Sequence, residues 1–280
     1  MTLCIAWRDH NSAIHLASDS RVSRRGNPVA DSMAKVYRLD ATLIVRRPSA
    51  RSGRSEHPVQ LGVAIAGAAL PHFVLAQTLG HIVRRVHAVE WDQDSPPPLD
   101  PLMKTVCKVL RPVTQAFGFM EPQHARLKLV IAGRCPGNET NRAFVVESDG
   151  DDPTYHEVLR PSDDPVYPFG DVDERLRERC LSASHPLQAV VEARDDPGRV
   201  SIGGPVQHGR LRNGFRCSVV YDEFEDHLGV TRAHPFLSGV PVHDQPPDDD
   251  GQIYGFALPH FRIGDRSSWP ASPRRGTGSG

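Results

Sequence analysis

The sequence predicts an α+β fold in which two stacked antiparallel sheets lie between layers of helices. Residues 3–7 and 13–17 are apolar at both odd and even positions, which indicates strands covered on both faces. The five polar residues between them have the length of a hairpin connection, so we expect antiparallel strands. Antiparallel sheets usually leave one face in water. A sheet that is apolar on both faces therefore requires a layer on each side.

Two amphipathic helices are predicted to form one outer layer. The first spans residues 71–89, and Pro71 suits its first turn. Its apolar face consists of Leu75, Leu79, Ile82, Val83 and Val86. The second helix carries an apolar stripe of Leu102, Met103, Val106, Val109, Leu110 and Val113. Pro112 lies inside the second helix and predicts a kink or an early end there.

Seven further strands and two short helices are predicted along the rest of the chain. Strands are predicted over residues 35–39, 41–45, 60–67, 127–133, 142–147, 155–159 and 200–206. Short helices are predicted over residues 173–181 and 186–194. We expect one domain over residues 1–214 and a C-terminal extension over 215–263 that can add edge strands. Residues 264–280 are rich in Pro, Gly and Ser, which predicts a disordered tail.

The composition excludes several classes of protein. The 33 Lys and Arg residues nearly balance the 34 Asp and Glu residues, so no global field attracts nucleic acid or an anionic membrane. No apolar run approaches the ~20 residues that a membrane helix needs. The five cysteines form no CxxC pair and the 14 histidines lack metal-binding spacings, so we expect reduced thiols in the cytoplasm, no metal and no cofactor. The basic residues 46–54 contain no aromatic for base stacking, which favours a solvated hairpin loop over a nucleic-acid contact.

A threonine follows the first methionine, and this position permits a specific chemistry. A threonine hydroxyl is a weak nucleophile, and it is activated when threonine is the first residue and its own α-amine serves as the base. The side chain of Thr2 is small enough for an aminopeptidase to remove Met1. Asp19 follows one predicted strand and Lys35 begins another. These three residues form a candidate active site.

Four short segments resemble, in order and spacing, the catalytic half of proteasome β subunits and their bacterial relatives. The segments are MTLCIAW at 1–7, ASDSR at 17–21, KVYRL at 35–39 and AIAGAA at 64–69. Those proteins are N-terminal-nucleophile (Ntn) hydrolases. The resemblance implies a four-layer αββα sandwich, a threonine peptidase, and self-assembly into a ring or related homo-oligomer. It holds over residues 2–90, is only topological from about 100 to 210, and stops beyond that.

The resemblance implies a role for each candidate residue. Thr2 attacks the peptide carbonyl, and the Lys35 ammonium stabilises the developing alkoxide. Asp19 keeps Lys35 charged and oriented, since an unpaired buried ammonium tends to lose its proton. The N–H of Gly67 donates to the oxyanion. Arg21 is expected to brace the Asp19–Lys35 pair.

The resemblance also places the substrate. A peptide would add as a strand between residues 21–23 and 67–69. Ile65 and Ala69 are the expected pocket residues, and Ile65 predicts a preference for an apolar side chain before the cut. Peptides or unfolded proteins are the expected substrates, and the sequence identifies no ATPase partner.

Two supporting elements of active relatives are altered here. Their Gly-Ser-Gly turn before the third helix reads Phe169-Gly170-Asp171-Val172, and their Asp-x-x-Ser element is at best residues 195–198. The missing serine indicates either support by Asp171 or a decayed site. Two alternatives to the peptidase therefore stay open. One is a catalytically inactive structural or regulatory subunit, and the other is an amidohydrolase that uses the same nucleophile on a small molecule.

Overall fold

The computed structural model describes residues 2–24, 27–46, 54–87, 96–121, 125–149, 152–225, 231–238, 240–241, 252–253, 256–257 and 260–270. Most of the basic stretch, residues 47–53, and residues 271–280 of the predicted tail therefore lie outside the described residues. The chain is α+β, as predicted, and four α-helices are found in the described ranges. No helix in the described parts of the chain is long and apolar enough to cross a membrane.

The first sheet has eight strands and begins with the amino-terminal hairpin. Its strands are β1 (Leu3–Arg8), β2 (Ile14–Ser18), β11 (Val166–Gly170), β12 (Gln207–Leu211), β13 (Phe215–Glu225), β14 (Thr231–Leu237), β15 (Val240–Pro241) and β18 (His260–Arg262). Their order is β11-β1-β2-β12-β13-β14-β15, with β18 parallel to β13. The predicted hairpin is confirmed, since β1 and β2 are antiparallel with Cys4 opposite Ser18.

The second sheet has six strands in the order β10-β9-β8-β6-β5-β7. They are β5 (Val36–Arg46), β6 (Arg54–Gly67), β7 (Val86–His87), β8 (Arg126–Arg134), β9 (Asn141–Asp149) and β10 (Thr154–Val158). The predicted strands 35–39 and 41–45 are one strand, because β6 pairs with β5 along its whole length. Two small hairpins are separate from both sheets: β3 (Val22–Arg24) with β4 (Asn27–Ala30), and β16 (Gln252–Ile253) with β17 (Phe256–Ala257).

Three buried clusters hold these sheets and the helices α1 (Ala69–Ile82), α2 (Asp100–Met120), α3 (Glu174–Ser182) and α4 (Pro186–Asp195) together. One cluster joins α1 and α2 to the second sheet, with Leu79, Val106 and Leu61 among its members. A second fills the space between the sheets and includes Ala6 and Ala64. A third joins the first sheet to α3 and α4. The sites of burial follow the apolar patterns of the sequence.

Several predicted boundaries are wrong. The early end at Pro112 is wrong, because α2 continues to Met120; Pro112 is on the exposed side, where water can replace the lost hydrogen bond. The first helix ends at Ile82. Val86, predicted to be on its apolar face, instead belongs to β7, where it pairs with Leu43 of β5. The strand expected over 200–206 is a loop, since Gly204 has a φ of +70° and Pro follows it. Strand β11 was not predicted; it is an edge strand, where its proline is tolerated.

The residues after Phe215 continue the first sheet. Strand β13 pairs with β12 over four positions, and the guanidinium of Arg194 in α4 forms an ion pair with the buried carboxylate of Asp222 in β13. Residues 266–268 form a short 3-10 helix, and the indole of Trp269 donates to the carbonyl oxygen of Ile263 at 3.2 Å. The start of the extension is therefore packed on the helix and strands that precede it.

Candidate functional site

Thr2 and Lys35 line one cavity of about 1460 Å³. Thr2 directly precedes β1 in the first sheet, and its carbonyl oxygen accepts a hydrogen bond from the Asp171 N–H at 2.7 Å. Lys35 directly precedes β5 in the second sheet. Their side chains are nearly excluded from solvent, with 5% and 2% of each residue exposed. The cavity thus lies where the ends of the two sheets meet.

Lys35 and Asp19 form a buried ion pair. Lys35 Nζ is 3.0 Å from Asp19 Oδ2, and both side chains are at most 3% exposed. Lys35 Nζ also donates to the carbonyl oxygen of Arg21 at 2.7 Å. Because both partners are fixed by hydrogen bonds, the ammonium is held in one position at the cavity wall.

Asp19 is held by main-chain donors from three segments. Its Oδ1 accepts from the Leu3 N–H at 3.0 Å, and its Oδ2 accepts from the N–H groups of Arg21 at 3.1 Å and Gly203 at 3.3 Å. Burial raises the pKa of the Asp19 carboxyl, and Lys35 with the backbone donors opposes that rise. The contact with Leu3 couples the carboxylate directly to the residue that follows Thr2.

Arg21 supports the pair through its main chain rather than its guanidinium. Its N–H and carbonyl oxygen contact Asp19 and Lys35, whereas its guanidinium binds both oxygens of Asp31 at 2.6 and 2.9 Å. The same guanidinium donates to the carbonyl oxygen of Val200 at 3.1 Å. The expected brace is therefore corrected: the Arg21 side chain fastens the β3–β4 hairpin to the loop before β12.

Gly67 ends β6 and lines the same cavity as Thr2. Its φ is +138°, a conformation that residues with a Cβ rarely adopt. A Cβ there would also lie 2.6 Å from the carbonyl oxygen of Arg126. The position therefore requires glycine and presents bare backbone to the cavity.

The structure separates the two predicted pocket residues. Ala69 lines the cavity, but Ile65 is fully buried in the cluster that joins the second sheet to α1 and α2. The reason is the alternation along β6, which turns Ile65 towards the helices and Ala66 away from them. Met33, Ala66, His72 and Leu127 are among the buried residues that line the cavity. Burial, and then the charge of Lys35, lowers the pKa of His72 to about 4, so its imidazole is neutral at pH 7.

Three supporting residues were not predicted from the sequence. Two, Ser201 and Gly203, lie in the loop that was predicted to be a strand over 200–206, and the third, Gln207, begins β12. Ser201 Oγ donates to Asp171 Oδ2 at 3.5 Å, and Asp171 lines the cavity with Thr2. Gly203 donates to Asp19, and the buried Gln207 side chain contacts the main chain of Lys35. The Gly203-Gly204 pair was the available signal, because adjacent glycines mark a loop.

The site offers a hydroxyl, a fixed ammonium and exposed backbone at one cavity wall. Within the described ranges, no group of three or more His, Cys, Asp or Glu residues is arranged to hold a metal ion. These components fit nucleophilic attack on a carbonyl, with a cation to stabilise the alkoxide.

Comparisons with known proteins show a likeness of fold. No family model and no curated protein matches the chain. The chain is similar to the structure of Anbu (ancestral beta-subunit) from Yersinia bercovieri, with 18% identity, coverage of 75% of this chain and 82% of that chain, and a TM-score of 0.49. It is also similar to the structure described as the helical assembly of the Anbu complex from Pseudomonas aeruginosa, with 15% identity, coverage of 84% and 87%, and a TM-score of 0.52. At this identity the second likeness shows the fold alone.

The family assignment made from the sequence is wrong. The motif segments resemble proteasome β subunits, but no family model matches, and the likeness to the Pseudomonas aeruginosa Anbu complex is a distant one, at 15% identity. The motifs are short and lie within the first 90 residues. Related folds share such local requirements, a buried strand followed by a glycine turn for example, so the motifs indicate a fold better than a family.

Proposed function

We propose that the protein is a threonine peptidase in which Thr2, after removal of Met1, is the nucleophile. One observation carries this proposal: Thr2 lines the same cavity as Lys35, whose ammonium is fixed 3.0 Å from the buried carboxylate of Asp19. A buried, hydrogen-bonded cation that shares a cavity with a hydroxyl has a chemical use that an ordinary surface lysine lacks, because it can stabilise an alkoxide there.

The proposed reaction uses Thr2 twice. Its α-amine, with an ordinary pKa of ~7.7–8.0, accepts the hydroxyl proton as the oxygen attacks the peptide carbonyl. Lys35 stabilises the alkoxide, and the backbone at Gly67 faces the oxyanion. The amine proton then passes to the departing amino group, the peptide C–N bond breaks, and water hydrolyses the remaining ester. Asp171 and Ser201 support the Thr2 main chain.

The cavity favours a polymeric substrate over a small molecule. Its volume of about 1460 Å³ exceeds the ~300–1,000 Å³ typical of small-molecule sites. We therefore place peptides or unfolded proteins ahead of a small-molecule amide. The five free cysteines support a cytoplasmic location, and no ATPase partner is assigned.

We also propose the finer architecture and assembly. Three buried clusters, arranged helices to sheet, sheet to sheet and sheet to helices, support the four-layer αββα sandwich. We retain the domain over residues 1–214, with 215–263 as an extension that adds strands to the first sheet; the predicted disordered tail over 264–280 does not hold for residues 264–270, which include a short 3-10 helix. A homo-oligomer is supported by the helical assembly of the Pseudomonas Anbu complex and by the exposed apolar side chains of Leu70, Phe73, Phe119 and Met120.

The nucleophile is tested by mass spectrometry of untagged protein. We expect the intact mass to lack one methionine residue and a peptide epoxyketone to form an adduct on Thr2. Thr2→Ala should abolish both the adduct and peptide turnover, whereas Thr2→Ser, which keeps the hydroxyl, should retain the adduct. Retention of Met1, or unchanged turnover in Thr2→Ala, would remove the peptidase and favour a catalytically inactive subunit.

The peptidase should prefer substrates with an apolar side chain before the cleaved bond. The part of the cavity proposed to hold this side chain is lined by Met33, Ala66 and the neutral His72. The Lys35 ammonium, which lines the same cavity, repels a cationic side chain. Fluorogenic peptides that end in Leu should be cleaved about tenfold faster than those that end in Arg, a difference of ~1.4 kcal/mol. Met33→Glu should narrow or reverse this ratio. A lower kcat/KM for Leu peptides than for Arg and Glu peptides would contradict the pocket assignment.

A further inference from the structure

The side chain of Gln207 joins the two sheets behind the candidate site. Gln207 is the first residue of β12 in the first sheet and is fully buried. Its neighbour in register is Ser18, the residue before Asp19. Across the interface lies the start of β5, which Lys35 precedes. Gln207 thus lies between the two members of the buried ion pair without touching either charged group.

All four hydrogen-bonding positions of the Gln207 carboxamide are used. Oε1 accepts from two consecutive N–H groups, Lys35 at 2.8 Å and Val36 at 3.0 Å. Nε2 donates to the carbonyl oxygens of Met33 at 2.6 Å and Asp19 at 3.4 Å. A primary amide has two donors and an acceptor with two lone pairs, so this set satisfies it completely. The partners also determine the orientation of the amide, since N–H groups face its oxygen and carbonyls face its nitrogen.

We propose that Gln207 is the positioning residue that sets the distance and angle between Lys35 and Asp19. The inference rests on the proposed function, in which Lys35 acts on Thr2. The carboxamide reaches the main chain of Lys35 from one side and the carbonyl of Asp19 from the other. A carboxamide makes all four contacts from one rigid plane, whereas an apolar side chain of the same length makes none.

Burying the polar side chain of Gln207 costs desolvation free energy, so packing alone does not explain why glutamine is at this position. A buried amide must find partners, because an unpaired one is strongly unfavourable. An apolar residue would fill the space between the sheets, as Ala64 and Leu211 do nearby. The carboxamide instead satisfies two N–H groups and a carbonyl at the entrance to β5, where the chain has just left the cavity wall. It acts on the reaction only through the pose of Lys35.

The test compares Gln207→Met with Leu211→Ala. Methionine keeps the length and most of the volume of glutamine and removes every hydrogen bond. Leu211→Ala weakens the same strand from a fully buried position without touching the ion pair. Hydrogen exchange is measured on peptides that contain the Lys35 and Val36 amides, and steady-state kinetics are measured on a Leu-ending peptide.

Gln207→Met should speed hydrogen exchange at the Lys35 and Val36 amides at least about tenfold. It should also lower kcat about tenfold or more, because a small misplacement of a catalytic group costs at least that factor in rate, and should leave KM within about twofold. Leu211→Ala should leave exchange at these amides and kcat per folded molecule unchanged. Unchanged exchange in Gln207→Met, or a loss of kcat no larger than the loss of folded protein, would overturn the proposal. Absence of peptide turnover in the unsubstituted protein would contradict the proposed peptidase function instead. The exchange measurement would still show whether Gln207 holds the main chain of Lys35 in place.

Discussion

Lys35→Met is expected to cost about 3–5 kcal/mol of unfolding free energy and to lower kcat about 10²–10³-fold. The stability loss arises because the variant leaves the Asp19 carboxylate buried beside apolar atoms with no cation. The kinetic loss arises because the variant lacks the buried Lys35 ammonium that is proposed to stabilise the Thr2 alkoxide. Urea unfolding and turnover of a fluorogenic peptide measure the two effects separately.

Two further variants separate charge from packing. Lys128→Met removes another cavity lysine, whose ion pair with Glu147 is also 3.0 Å long but is 32% and 43% exposed. It should cost less than about 1 kcal/mol of stability. Asp19→Asn combined with Lys35→Met removes both buried charges and should regain stability relative to Lys35→Met but no activity. If Lys35→Met proves as stable as Lys128→Met, the Asp19–Lys35 pair is not buried as described.

Acid is expected to unfold the protein by protonating three buried histidines and the half-buried His185. Burial lowers the pKa of His15, His185 and His208, and lowers that of His72 to about 4. The unfolded chain therefore binds protons at a higher pH than the folded chain does. The corresponding stability is present above the ordinary value of 6.5 and is lost as the pH falls below it. At ~1.36 kcal/mol per pKa unit, His72 alone contributes about 3 kcal/mol of this loss by pH ~4.

The buried chain that contains two of these histidines shows why protonation is unfavourable. His15 Nε2 is 3.1 Å from Asp9 Oδ2, His15 Nδ1 is 3.0 Å from His208 Nε2, and His208 Nδ1 is 2.8 Å from Ser218 Oγ. If the Asp9 carboxylate accepts from His15, each following group must donate to the one before it. A proton added to His15 Nδ1 would place two N–H groups face to face.

Urea unfolding between about pH 7 and pH 4 tests this dependence. Stability should fall steadily below the ordinary histidine pKa. His72→Gln should reduce the total fall by up to about 3 kcal/mol, whereas His10→Gln, at an exposed position, should leave the fall unchanged. An unfolding free energy that stays constant across this range would contradict the buried neutral imidazoles.

The apolar pattern of the sequence predicted most of the elements, because burial follows local periodicity. The stripe of α2, from Leu102 to Val113, is buried as expected. Thr2, Asp19, Lys35, Gly67 and Ala69 could be proposed as a set from motif order alone, and the structure brings them to one region. The α+β class also followed from the sequence. The family assignment failed, because a short motif indicates the local structure better than it indicates the family.

Tertiary structure alone decided which groups support the site. Ile65 and Ala66 differ by one step along β6, and only the packing of α1 on one face determines that Ile65 is buried away from the cavity. Arg21 pairs with Asp31, and Gln207 contacts Lys35 from 172 residues away. Hydrogen bonds between distant segments leave no periodic trace in a sequence. The sequence by itself thus determined the α+β class and the set of candidate residues, and the long-range packing determined how those residues are held.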